Sequence, residues 1–328
     1  MTIHYHTVFG DRIRSEIPLP ELRTADPGPA RWNFRVVDEL PEPAGLELQG
    51  EEPIYDDVVA RFYAHPGGYR ISVRDTGTFD LSVTGGEILW LPNPEPWWDF
   101  GRGHLLGRVL STALHLDGLL ALHASAVELG DGVVGFMAPS HFGKSTLSME
   151  LFGVGARFVT DDTLPVRPGA PPLAHPGVQS LRVRSGDPNV ERLLGFQPQG
   201  EPGRDGKITL PPFPPDRALG RPAPLAALYL LSPQPPEDAD LTVRRIRLAP
   251  VPAAIFLVGQ TKIGEMLGPS AAPGILEATS SLASAVPIYR LEIVRDLDRL
   301  PEVVEHLVGW HGLPLGVSPA RSGTGVEG

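Results

Sequence analysis

Residues 120–167 read LALHASAVELGDGVVGFMAPSHFGKSTLSMELFGVGARFVTDDTLPVR, and this stretch decides how the rest of the chain is read. ALHASAVEL and VVGFMA are apolar runs suited to buried strands. A helix is expected to open at Gly143 and run to Leu151 directly after the second run, and ARFVT supplies another short strand that ends on Asp161 and Asp162. Strand, loop, helix, strand is the order of a right-handed crossover unit, which predicts an α/β nucleotide-binding core.

The loop of that unit is Ala138, Pro139, Ser140, His141, Phe142, Gly143, Lys144 and Ser145. It matches G-x-x-x-x-G-K-[ST] at every fixed position but the first, where Ala138 replaces glycine. A loop of this kind turns back so that successive backbone N–H groups face phosphate oxygens, and the following helix adds its positive end. Gly143 permits the close approach, and Lys144 brings a point charge to the β- and γ-phosphates. The Ser145 hydroxyl is placed to ligand Mg²⁺, with Thr146 as a weaker second hydroxyl. Ala138 can stand for glycine only where its φ is negative.

Asp161 and Asp162 follow a short strand, so their carboxylates should emerge beside the loop, where ligands bind in open α/β sheets. One could hold the metal while the other accepts a proton. Two adjacent carboxylates next to a triphosphate repel one another without an intervening cation, which again predicts Mg²⁺. His123 lies on the strand that precedes the loop strand. On its own it reads as a hydrogen-bonded core histidine.

Outward from this centre, YRISVRD, TFDLSVT and EILWLP read as antiparallel strands separated by the turn signals DTG and TGG, so residues 1–100 form a β-rich N-terminal domain, a candidate for substrate binding. A helix is expected from about His104 to His115, with the aromatics Trp97, Trp98 and Phe100 before it in the core. Residues 101–318 would form the catalytic domain, with LAALYLLS and AAIFLV as further buried elements and an amphipathic helix from Leu300 to Trp310. The tail 319–328 is expected to be disordered. The 37 prolines concentrate between these segments, at 18–30, 92–96, 165–176, 211–224 and 233–236, as connectors.

Composition narrows the function classes. A chain of 328 residues buries a sizeable core, and 41% hydrophobic with 20% charged residues is an ordinary globular balance. No window is apolar for long enough to span a membrane, and the N-terminus lacks a basic region followed by an apolar one, so a cytoplasmic location is expected. The absence of cysteine excludes disulfides and thiolate chemistry. A net charge of −11 argues against nucleic acid or an anionic membrane as partner. Arg244, Arg245 and Arg247 read as a solvated strand edge. Neither a zinc helix nor a G-x-S-x-G elbow is found, and His4 and His6 make no metal site alone.

With these residues in hand, Leu122 to Arg167 resembles the HPr kinase/phosphorylase family, whose core has a histidine, a phosphate loop and an Asp-Asp pair; here these are His123, Ala138 to Ser145, and Asp161 with Asp162. The resemblance covers roughly residues 100–185. It implies an α/β, P-loop-containing, HPr-kinase-like core with an N-terminal β-rich portion, using ATP and Mg²⁺. It further implies that Asp162 deprotonates the acceptor hydroxyl, and that Asp161, supported by His123, orders the metal together with Ser145.

The chain departs from the family's regulatory members in two ways. LAHPGVQSLRV carries no carboxylate where those members place one, so His175 or Gln179 is expected to approach the site instead. The loop also ends G-K-S-T without a following acidic residue. Both departures make the chain similar to the divergent HPr-kinase-like proteins of peptide natural-product clusters, including kinases of lasso peptides or their precursors. The implied partner is a peptide with a hydroxyl acceptor, and a homo-oligomer is compatible with these features. Charge building on a transferred phosphoryl group calls for a later cation, for which Lys207 and Arg182 are candidates. Two alternatives remain open at this point: a kinase of a small-molecule alcohol, and a partner protein that senses ATP without turnover.

Overall fold

The computed structural model describes residues 2–55, 57–95, 97–130, 132–139, 142–184, 186, 190–191, 198–200, 202–203, 206–234, 243–264, 266–269 and 271–312. Ser140 and His141 of the loop, and the tail 319–328, lie outside the described residues. The structure is mixed α/β. Among the described residues, no helix is long and apolar enough to cross a membrane.

Nine strands form the first sheet: β1 (His4–Val8), β2 (Asp11–Ser15), β3 (Arg23–Thr24), β4 (Trp32–Val36), β5 (Glu47–Tyr55), β6 (Val58–His65), β7 (Gly68–Val73), β8 (Gly77–Ser82) and β9 (Glu87–Pro92). Their order is β3-β1-β2-β4-β9-β8-β7-β6-β5, so β5 is an edge strand. One face is apolar by simple alternation, with Phe62, Ile71, Phe79, Ile88 and Trp90 all buried. Trp90 is hemmed in by Phe34 and Phe79, stacked at centroid distances of 6.2 and 5.4 Å, and by the edge of Trp98 at 5.3 Å.

A helical stretch covers this face as α1 (Trp98–His104), a π turn (Leu105–Val109) and α2 (Leu110–Leu116). It begins six residues before the expected start near His104, because the first turn is set by packing of Trp98 and Gly101 on Trp90 while its glycines depress the sequence signal. The expected boundary at residue 100 falls inside it. Trp98 is 44% exposed, against the expectation that this aromatic cluster is core. Leu105, Val109, Leu110, Ala113 and Leu114 recur at helical spacing and face the sheet. His104 and Arg108, four residues apart, share the opposite, cavity-facing side.

The second sheet is built from β10 (Leu120–His123), β11 (Ser125–Leu129), β12 (Gly132–Met137), β13 (Arg157–Thr160), β14 (Thr163–Arg167), β15 (Leu173–Ala174), β18 (Ala223–Gln234), β19 (Arg244–Arg247) and β20 (Ile288–Val294), while β16 (Arg182–Arg184) and β17 (Lys207–Thr209) make a separate ribbon. ALHASAVEL therefore forms two strands, not one: at Ala124 the chain changes partner, from β14 to β12 and β13. Across the sheet the order β20-β18-β12-β11-β13 holds, with β12, β18 and β20 parallel and β11 antiparallel to both β12 and β13. The loop strand β12 and the aspartate strand β13 thus run the same way with β11 between them, joined by α3 (Lys144–Gly153).

AAIFLV lies in α4 (Pro250–Gly259), a helix buried only through Ala253, Ala254 and Leu257; Val251 and Ile255 are exposed, contrary to the reading of a fully buried element. Two further helices, α5 (Ala272–Ala285) and α6 (Leu300–His311), complete the layer. Arg244 to Arg247 form the expected strand edge, with Arg245 stacked over Tyr289 and Trp310.

A Cβ on Gly101 would lie 2.3 Å from the Trp90 ring, which its own neighbours hold in place. Overpacking of this kind costs about 1–3 kcal/mol and outweighs the gain in helix propensity. Urea denaturation of Gly101→Ala is expected to show a stability loss of that size; unchanged stability would mean that the helix does not seat on Trp90.

Candidate functional site

The 138–145 loop connects β12 to α3, and its described residues meet the demands read from the sequence. Gly143 has φ 87°, a left-handed conformation that a side chain would strain, and it sits at the N-cap of α3. Phe9 is the one described non-glycine residue with positive φ, so Ala138 satisfies the condition for replacing glycine. Lys144 is buried and folds back to donate to the Ala138 carbonyl at 2.7 Å. Burial lowers its ammonium below the usual lysine range, with Asp161 opposing and Lys207 adding to the effect.

Asp161 stands at the end of β13 under the first turn of α3. Its carboxylate accepts from the Ser145 hydroxyl, and its Oδ1 lies 3.2 Å from Ser125 Oγ. Ser125 is fully buried and also 2.8 Å from Ser148 Oγ on α3. Burial pushes the Asp161 carboxyl up, and the two hydroxyls with Lys207 and Lys144 only partly counter it. The pairing of a serine hydroxyl with a carboxylate short of positive charge fits a hard divalent cation such as Mg²⁺, which takes few protein oxygens and keeps several waters. Among the described residues, no cluster of three or more His, Asp or Glu side chains could hold a metal by itself.

Asp162 faces the opposite way, into solvent and toward two bases. His123 Nδ1 lies 3.4 Å from its Oδ1, so the histidine supports Asp162 and not Asp161. Lys262, from the turn after α4, meets Asp162 Oδ2 and donates to Thr163 Oγ1 at 2.9 Å. Burial, with Lys144 and Lys262 nearby, lowers His123 to about 4, so it is neutral at neutral pH. Gly177 lets the segment after β15 press against this corner: a Cβ there would be 2.3 Å from Thr160 and 2.7 Å from the Thr163 carbonyl.

Lys144, Ser145, Asp161, His123, Asp162 and Lys262 open onto one cavity of about 2330 Å³ between the two sheets. Its far wall comes from the first sheet and its helices, where Arg108 holds Glu52 through two bonds of 2.6 and 2.8 Å and Arg102 holds Glu21 at 2.8 Å. Lys207 and Arg182, on the β16–β17 ribbon, also line it. His175 and Gln179 do not. His175 packs beside Phe9, Asp11, Arg31 and Arg167 where the sheets meet, and the Gln179 amide is spent on the Leu219 carbonyl. In that junction Arg31 bonds Asp11 and Asp117, and Arg167 bonds Asp117.

Sequence reasoning missed Lys262, Ser125 and the Glu52–Arg108 pair. The first had a signal: the chain holds three lysines, Lys144, Lys207 and Lys262, every other one of its 28 basic residues being arginine, and all three line this cavity. Ser125 was a lone hydroxyl inside an apolar run, which requires a buried partner. Glu52 and Arg108 carried no local signal.

No family model matches the chain, and no curated protein matches it. Among solved structures, the Hpr(Ser) kinase/phosphatase from Coxiella burnetii is similar at 15% identity and a TM-score of 0.31, covering 58% of this chain and 95% of that one.

Burial pushes the Lys262 ammonium down to about 7, with repulsion from Arg108 and Lys144, against the pull of Glu52 and Asp161. Unfolded lysine titrates near 10.4, so between the two values the unfolded chain binds a proton that the folded one does not, and stability rises with pH across that window. Below it the penalty is complete. Lys262→Met removes the penalty, so the variant should gain stability over wild type at about pH 6 and lose that advantage progressively between about pH 7 and about pH 10.4. Urea denaturation at several pH values checks this; a difference that stays constant with pH would contradict it.

Proposed function

We propose that this chain is an ATP- and Mg²⁺-dependent kinase that phosphorylates a serine or threonine hydroxyl of a peptide, such as a lasso peptide or its precursor, and that it acts in the cytoplasm, where ATP is supplied. The observation that carries the reading is the convergence of Lys144, Ser145 and Asp161 with Asp162, His123 and Lys262 on one cavity. A phosphate-binding cradle alone would serve a sensor; a half-exposed carboxylate with its own histidine and lysine serves proton transfer.

In this account the loop amides, the N-terminus of α3 and Lys144 hold the phosphates, Lys144 exchanging its bond to the Ala138 carbonyl for phosphate oxygen. Ser145 and Asp161 would hold Mg²⁺, which neutralises phosphate charge. His123, neutral and within 3.4 Å of Asp162, fixes the orientation of that carboxylate. Asp162 takes the proton of the acceptor hydroxyl as its oxygen bonds to the γ-phosphorus, and the bond to the β–γ bridging oxygen breaks to release ADP. Lys262, paired with Asp162, supplies positive charge in its protonated form where the phosphoryl group crosses.

A peptide acceptor is favoured by volume. Small-molecule pockets usually enclose about 300–1,000 Å³, whereas this cavity of about 2330 Å³ leaves room beyond a nucleotide. The charged wall of Glu21, Glu52, Arg102 and Arg108 offers polar contacts suited to a peptide main chain.

Mass spectrometry of candidate peptides incubated with protein, ATP and Mg²⁺ should show the gain of one phosphate. Asp162→Asn is expected to slow that gain by about 10²–10⁴-fold while ATP still binds. Binding of ATP with no transfer to any peptide or alcohol would instead favour a sensor.

A further inference from the structure

We propose that the nucleoside end of ATP lies on the flank of the 138–145 loop away from the aspartates, on an apolar shelf at the C-terminal ends of β18 and β20 formed by Pro233, Val294 and Leu297. This rests on the nucleotide reading above and adds to it a direction and a base-binding subsite.

β12, β18, β20 and β13 all run the same way, so their C-terminal ends share one edge of the sheet, the edge where ligands bind in open α/β folds. The loop leaves β12. Asp161 and Asp162 leave β13, two strands to one side, whereas β18 and β20 end one and two strands to the other. At a spacing of about 4.8 Å per strand, each flank reaches about 10 Å from the loop strand. Transfer requires the terminal phosphate at the aspartate flank. A phosphate chain held across the loop then delivers the nucleoside to the opposite flank.

The chemistry of the two flanks agrees with this polarity. On the aspartate side the cavity is lined by Asp162, Lys262, Arg108 and Glu52, a charged surface poorly suited to the face of a purine. On the other side it is lined by the apolar Pro233, Ile293, Val294, Leu297 and Leu300, with the exposed Arg295 and Asp296 beside them at the end of β20. Leu300 and Ile293 are buried in the same cluster as Ala138 and Leu147, which fixes the shelf rigidly to the loop and its helix. Pro233 and Leu297 remain half-exposed, able to cover the flat apolar face of a base. Phe142 of the loop, 41% exposed, is a large apolar side chain lining the same cavity.

Calorimetric titration of ATP and of inorganic tripolyphosphate, each with Mg²⁺, separates the base from the phosphates. Leu297→Asp is expected to weaken ATP by about tenfold or more while leaving tripolyphosphate within about twofold of wild type. Equal ATP affinity in variant and wild type would overturn the subsite while leaving the phosphate loop standing. Failure of the wild-type protein to bind tripolyphosphate would overturn the loop reading and the subsite with it. A folding defect in the variant is bypassed by photocrosslinking an azidoadenine analogue of ATP to the wild-type protein. Adducts on the peptides carrying Pro233 or Val294–Leu297 are expected; adducts on residues 52–54 or 104–108 would place the base on the wrong flank and overturn the proposal.

Discussion

The arrangement depends on one half-buried carboxylate. Asp161 leaves the end of β13 beneath α3 and is held there by Ser145 from the helix and Ser125 from β11. Hydrogen bonds to a charged group are worth about 1.5–3 kcal/mol each, and these two fix the loop helix to the strand that carries the acid pair. Ser148, bonded to Ser125, adds a second tie from the same helix. They add side-chain ties to the register that β11 already sets between the loop strand and the aspartate strand. The same burial that raises the Asp161 carboxyl leaves it short of positive charge, so the device that rigidifies the site also creates a demand for a cation.

Asp162 shows the opposite solution one residue later. It points out of the protein interior, and its side chain remains 56% exposed while His123 and Lys262 approach it. The pair forms the two-residue bend between β13 and β14, which sends the half-buried Asp161 carboxylate inward and leaves that of Asp162 accessible. In the proposed mechanism that difference in environment assigns the metal-facing role to Asp161 and the proton-accepting one to Asp162.

The loop, its close-approach glycine and the aspartates were legible in the sequence because each requirement is local: a strand, a tight turn, a helix start and a strand exit within some forty residues. The π turn was not, since the glycines of 101–107 hide a helix that exists by packing on Trp90. Lys262 was not read because it arrives from 100 residues beyond its partner Asp162 through the docking of α4. His175 and Gln179 were expected at the site from their position in LAHPGVQSLRV. The backbone of that segment does touch the site, through Gly177 against Thr160 and Thr163, while its longer side chains serve the sheet junction and the flank of β13. The segment matters there for what it lacks, a Cβ, rather than for a ligand.

An acidic chain that gathers all of its lysines in one cavity has concentrated flexible positive charge where its surface otherwise carries an excess of carboxylates. The first sheet supplies the facing wall through Arg102 and Arg108, each anchored by a glutamate. The central claim is that this concentration serves a nucleotide triphosphate seated on the 138–145 loop. Its most direct test is equilibrium titration of Mg·ATP into the wild-type chain and into Lys144→Ala, with the fold of both checked by circular dichroism. Saturable binding by wild type that is lost in the folded variant is the predicted result; equal affinity in the two would contradict the account.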